Sequence, residues 1–347
     1  MSEKLLKQGG YGCVYFPAKS CLSNQNIDNT KFVTKVQMND RNIRQELKIS
    51  EYVRTISNNS SFFAPVIESC PVMEKEISAA LLDNNNEPCE ITRTAQKAGK
   101  SLIMMRIPYI PDGDFAKHLT SSTISELVSC YRHLLLGVEH LINRKIVHYD
   151  LKYDNILFIH RLNNPIIIDF GLSIDMRRYA NYYNDINMLK KVFYVYEPKY
   201  SLWPLDVHLI CFIVQKHESG GVNISEIKNM CHTYVINAYK SAIDNNVLTS
   251  DQQEMYTKSV TYYSQFADKP IHNVLNTLLN NWNTWDIYGL HYMFYTHIKK
   301  NIIYDSRHKA LRAHILELMK EQLDPDSIRK TTEELMVNVS ESYYLTN

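Results

Sequence analysis

The stretch His148-Tyr149-Asp150-Leu151-Lys152-Tyr153-Asp154-Asn155, followed by Ile167-Ile168-Asp169-Phe170-Gly171, constrains this 347-residue chain more than any other feature. A short loop between two strands is expected to gather a carboxylate (Asp150), an ammonium (Lys152) and an amide (Asn155). The next strand ends on a second carboxylate, Asp169, beside the flexible Gly171. Cations that neutralise charge on equatorial oxygens, with a carboxylate to orient an incoming hydroxyl, suit the movement of a phosphoryl group.

The surrounding sequence supplies a scaffold for such a loop. From Thr123 onward, Ile124, Leu127, Val128, Tyr131, Leu134, Leu135, Val138, Leu141 and Ile142 follow an i, i+3, i+4, i+7 rhythm that predicts one strongly buried helix face ending just before Asp150. Leu157-Phe158-Ile159 and Ile166-Ile167-Ile168, joined by a turn, read as a hairpin that delivers Asp169 next to Asn155. Near the N-terminus, Gly9-Gly10-Tyr11-Gly12-Cys13-Val14-Tyr15 is a glycine-rich turn whose backbone can approach phosphates and donate amide hydrogens. The β-rich run Lys31 to Val36 carries Lys35, and Glu46 opens a helical pattern with Leu47, Ile49, Val53 and Ile56, on which Glu51 also lies.

Taken together, these motifs resemble those of eukaryotic-type protein kinases, and Lys152, two residues after Asp150, resembles the serine/threonine branch. The resemblance implies an α+β, two-lobed fold with a small β-rich N-lobe at 1–109 and a large, mainly helical C-lobe at 110–347, forming a single kinase domain. It implies ATP and Mg²⁺ as cofactors. Gly9, Gly10, Gly12 and Val14 would line the phosphate loop, Lys35 would contact the phosphates with Glu46, or else Glu51, as its ion-pair partner, and Asn155 and Asp169 would hold the metal. Asp150 and Lys152 would be catalytic. Leu102 to Ile107 and the following Pro108 to Phe115 look like the hinge, which puts Ile107 at the gatekeeper position and Asp114 near the ribose hydroxyls. Asp286, in Trp285-Asp286-Ile287-Tyr288-Gly289-Leu290, resembles the buried aspartate that fixes the catalytic loop, and Arg329 resembles the arginine that pairs with an acid ending the activation segment.

The chain also departs from the family. Tyr200-Ser201-Leu202-Trp203-Pro204-Leu205-Asp206 replaces the usual Ala-Pro-Glu ending, with Asp206, or else Glu197, as the acid for Arg329. Tyr149 replaces the arginine that commonly precedes the catalytic aspartate, which removes a charge-assisted contact for a phosphorylated activation loop. Residues 207–284 exceed what the family needs and read as a helical insertion, while the polar stretch 74–100 reads as an insertion loop. The Asn, Ile, Tyr and Lys bias and the Trp-Pro-Leu-Asp ending make the chain resemble kinases of large nucleocytoplasmic DNA viruses, which implies host cytoplasm or virion.

Composition narrows the function classes. A formal net charge of +1, with Lys and Arg scattered, predicts no nucleic-acid partner, and no apolar run approaches membrane-spanning length. Seven cysteines without paired metal-ligand spacing read as reduced thiols in a soluble intracellular protein, with Cys13 singled out as a candidate oxidation site. The expected activity is ATP-dependent transfer to Ser or Thr hydroxyls of protein substrates. A pseudokinase scaffold and a small-molecule kinase are the alternatives.

Overall fold

A computed structural model describes residues 4–9, 12–19, 28–72, 89–111, 113–179, 182–216, 220–238, 249–301, 309–325, 330, 332–336 and 338. Gly10 and Arg329, both singled out above, lie outside these residues. The chain divides into two compact units, one of residues 1–113 and 157–173, the other of 114–156 and 174–347.

In the first unit, strands β1 (Lys4–Gly9), β2 (Gly12–Phe16), β3 (Phe32–Met38), β4 (Glu68–Pro71) and β5 (Leu102–Pro108) form a five-stranded sheet in the order β1-β2-β3-β5-β4, with every pair antiparallel. Alternation along β3 and β5 decides what each face carries. Val36, opposite Met104, packs with Cys13, Tyr15, Cys89, Ile91 and Leu102. Met105, opposite Lys35, packs with Ile43 and Val66 instead. Helix α1 (Arg41–Arg54), which supplies Ile43, starts at Asp40, whose carboxylate accepts the amides of Asn42 and Ile43. Its buried face runs Ile43, Glu46, Ile49, Ser50 and Val53, so the helical period itself drives Glu46 inward.

Two sequence expectations change here. Part of the stretch read as an insertion loop is a helix, α2 (Glu90–Lys97), which buries Ile91 and Ala95; its two inward apolar positions were too few to announce it. Cys13 and Cys89 form a disulfide across 76 residues, so the thiols are not all reduced. The odd cysteine count and wide spacing concealed a pair that only the sheet and the approach to α2 bring together. Cys130, Cys211 and Cys231 are free and buried.

The second unit is helical. It contains α3 (Phe115–Ser121), α4 (Ile124–Asn143), α5 (Met176–Tyr179), α6 (Ile186–Lys190), α7 (Leu205–Lys216) and α8 (Ile224–Ala238). After these come α9 (Ser250–Tyr263), α10 (Ile271–Leu279), α11 (Trp285–Asn301) and α12 (Lys309–Leu323). A capping box, Thr123 with Glu126, starts α4, and its apolar stripe from Ile124 to Leu141 is buried as the periodicity predicts. Phe294 of α11 packs edge-on against Tyr131 of α4, and the Tyr131 hydroxyl lies 2.9 Å from His291 Nε2. Helix α7 is buried almost all round, from Leu205 to Val214. Among the described residues, no helix is long and apolar enough to cross a membrane.

Candidate active site

Lys35, Glu46 and Asp169 meet within the first unit. β3 directs Lys35 toward the α1 face, and its Nζ lies 3.2 and 3.1 Å from the two Glu46 carboxylate oxygens and 3.0 Å from Asp169 Oδ1. Glu46, rather than Glu51, is the partner. The Glu46 side chain is 2% exposed and that of Lys35 11%, so each needs the other: an unpaired charge there would lose several kcal/mol of solvation. Burial opposes the Lys35 charge, but Glu46 and Asp169 more than offset it and hold the ammonium pKa up at about 12.

Asp169 reaches this pair from the hairpin Ile156–Ile159 and Asn164–Ile167, anchored where the Ala64 amide donates to the Ile167 carbonyl. Its φ of 64° is left-handed, an uncommon conformation for a residue with a side chain, and Phe170 beside it is buried edge-on against Phe63. Gly171 follows; a Cβ there would come within 3.3 Å of Asp169 Oδ1. Gly12 is required for a different reason: a Cβ on it would stand 2.3 Å from the Val36 carbonyl oxygen. Gly9 faces Gly12 across the β1-β2 pair, and Val14 lies opposite Lys35 in the register.

Asp150, Lys152 and Asn155 meet within the second unit. Asp150 Oδ2 accepts from Lys152 Nζ at 2.7 Å and from Asn155 Nδ2 at 2.9 Å. Asn155 Nδ2 also donates to the Asp150 carbonyl at 2.8 Å, which locks the amide's orientation. The loop is fixed from below by Asp286, whose oxygens accept the amides of His148 at 2.6 Å and Tyr149 at 2.9 Å. Burial pushes the Asp286 pKa up, opposed by His148 and the two amides. Presenting both amides to one carboxylate puts Tyr149 at φ 71°.

Two further contacts carry no local sequence signal. The Tyr200 hydroxyl donates to Asp150 Oδ1 at 2.9 Å, and Trp203 Nε1 donates to the Tyr149 carbonyl at 2.6 Å, its ring 4.6 Å from that of Tyr149. His208 Nε2, 3.0 Å from the Tyr200 carbonyl, supports this segment. Asp206 accepts from the Tyr263 hydroxyl at 2.6 Å and from Asn281 Nδ2 at 3.3 Å. Asp114 caps α3 by accepting the Lys117 amide at 2.9 Å.

The donor set suits a hydrated Mg²⁺. In the first unit two carboxylates share one ammonium, leaving net negative charge, and the Asp169 side chain is 40% exposed. In the second, the Asn155 nitrogen is committed to Asp150, so its oxygen is the atom that can face a cation. Among the described residues there is no cluster of three or more His, Cys, Asp or Glu able to hold a metal.

Comparison with known proteins agrees with this arrangement. The protein kinase domain model matches residues 2–193, more than half of the chain, and the chain therefore belongs to the protein kinase family. It is similar to the serine/threonine-protein kinase ppk34 of Schizosaccharomyces pombe, 29% identical over 106 residues, 29% of this chain and 30% of that protein. A Mycoplasma genitalium protein described as a serine/threonine-protein kinase is 26% identical over 181 residues, 49% of this chain and 44% of that protein. The "Probable cell division control protein 7 homolog 2" of Encephalitozoon cuniculi is 30% identical over 66 residues, 19% of each chain. The matches thus span less than half the length of these relatives.

Proposed function

We propose that the chain transfers the γ-phosphoryl group of ATP to Ser or Thr hydroxyls of protein substrates. The observation that carries this reading is the Asp150 carboxylate, which is oriented by Lys152 and Asn155 and already accepts a hydroxyl, that of Tyr200, on Oδ1. An incoming hydroxyl would make the same contact, and Asp150 would orient it for attack and take its proton. Lys152 would neutralise charge on the moving group. Lys35, steadied by Glu46, would contact the nucleotide phosphates under the amides of Gly9, Gly10 and Gly12, with Val14 against the nucleotide and Asp114 near the ribose. Asp169 and Asn155 would hold Mg²⁺, which supplies charge neutralisation at the phosphates when bound.

The named relatives support the serine/threonine class, as does Lys152. We further propose that 1–109 and 110–347 act as the lobes of one kinase domain, with 207–284 as an insertion and with host cytoplasm or virion as the working compartment of a viral enzyme. Purified protein incubated with labelled ATP, Mg²⁺ and generic protein substrates should yield phosphoserine or phosphothreonine on acid hydrolysis. Nucleotide binding without transfer would instead indicate a scaffold, and transfer only to metabolites a small-molecule kinase.

A further inference from the structure

A cavity of about 630 Å³ opens within the second unit between the segment Lys199–Ser201, the end of α8, the start of α9 and the last turns of α11. That volume is in the range that accepts small ligands or a few side chains. Among the described residues its wall carries three lysines, Lys199, Lys299 and Lys300, and one carboxylate, Asp251. The chain as a whole is balanced, with 38 Lys and Arg against 37 Asp and Glu, so this local excess is not a general property of the surface. Among the described residues, Lys299 Nζ pairs with Asp251 Oδ2 at 3.5 Å, joining side chains 52% and 60% exposed. So exposed a pair is weak and yields readily to a better anion.

The position of the cavity is as informative as its charge. Lys199 and Ser201 flank Tyr200, whose hydroxyl rests on Asp150 Oδ1. Two lining residues are therefore the chain neighbours of Tyr200, the residue whose hydroxyl contacts Asp150. Tyr292, on the wall, donates its hydroxyl to the Ala238 carbonyl, which ties α11 to the end of α8.

We infer that this cavity binds anionic side chains of the protein substrate close in sequence to the accepting hydroxyl, so that the enzyme selects acidic segments. The inference rests on the kinase reading and specifies its substrate class. Glutamate or aspartate clusters and a previously phosphorylated residue present the same chemistry, and they are separated by the test.

The test uses the full chain and three fluorescent peptides sharing one serine, flanked by glutamates, by phosphoserine or by lysines. Binding is read by polarisation and phosphoryl transfer is measured on the same peptides. At least one acidic peptide should bind about tenfold more tightly than the lysine peptide, and the double variant Lys299→Glu/Lys300→Glu should remove that preference. Both lysines are exposed, so the fold should persist, and circular dichroism checks it. Lys199→Glu, on a separate segment, gives a second reading. In transfer, the loss should appear as a raised KM with kcat unchanged. Equal binding of acidic and basic peptides, or an undiminished preference in both variants, overturns the inference. Transfer to all peptides alike would remove the inference but keep the kinase, whereas selective binding without any transfer would keep the cavity assignment and remove the kinase.

Discussion

Lys35 and Glu46 in the first unit are held by opposite charges that burial leaves no choice but to pair, whereas Asp150 in the second is held by a more exposed lysine, Lys152, together with two neutral donors, Asn155 and Tyr200, on a backbone locked from two sides by Asp286 and Trp203. The first arrangement tolerates little chemical change, because removing either partner strands a charge. The second distributes its hold over several hydrogen bonds and the Tyr149–Trp203 ring contact, so single losses should be graded. Trp203 and Tyr200 also tie the segment 200–203 to the loop carrying Asp150, through contacts to the Tyr149 carbonyl and ring and to Asp150 Oδ1.

The largest effect should follow Lys35→Met. It leaves the Glu46 carboxylate, 2% exposed, without a counter-ion and should lower unfolding free energy in urea by about 3–5 kcal/mol. Adding Glu46→Gln should recover much of the loss. A deficit below about 1 kcal/mol would break the contrast between the units.

Asp286→Ala comes next, because it removes the acceptor of two buried amides at a residue with positive φ. The expected loss is about 2–4 kcal/mol, and Asp286→Asn, which keeps one acceptor oxygen, should lose less. The measurement is the same urea midpoint.

His208 sharpens the comparison through pH. Burial pushes its pKa down from 6.5 to about 4, so the folded protein holds it neutral where the unfolded chain would protonate it. Stability from the neutral ring is therefore complete above pH 6.5 and is lost as pH falls from 6.5 toward 4. The difference in stability between pH 7 and 4.5 should be smaller in His208→Gln than in the parent by on the order of 2 kcal/mol. Parallel pH curves would contradict this.

Tyr200→Phe should have the smallest effect. It deletes one donor to Asp150 while Lys152 and Asn155 remain, so stability should change by about 1 kcal/mol. A larger loss would mean that Tyr200, and not the loop itself, fixes the carboxylate.

Legibility in the sequence followed distance along the chain. Asp150, Lys152 and Asn155 lie within six residues, and local spacing announced their cluster; the resemblance to protein kinases suggested the Lys35–Glu46 pair, and helical periodicity supported the helix carrying Glu46. Tyr200 and Trp203 were not legible, since their partners are 50 and 54 residues away and a tyrosine or tryptophan in a loop carries no periodic signal. The same holds for Cys13 and Cys89 at a separation of 76. The Asp114 carboxylate shows a further limit, because one side chain can suit both a helix cap and a ligand contact, and sequence alone does not rank the two.

The central claim is that Asp150 orients the accepting hydroxyl while the Lys35 cluster serves the nucleotide. It is tested most directly by Asp150→Asn, assayed for Mg²⁺-dependent nucleotide binding and for phosphoryl transfer to protein. The account predicts binding within about threefold of the parent and transfer reduced by about a hundredfold or more. Near-normal transfer by Asp150→Asn would contradict it.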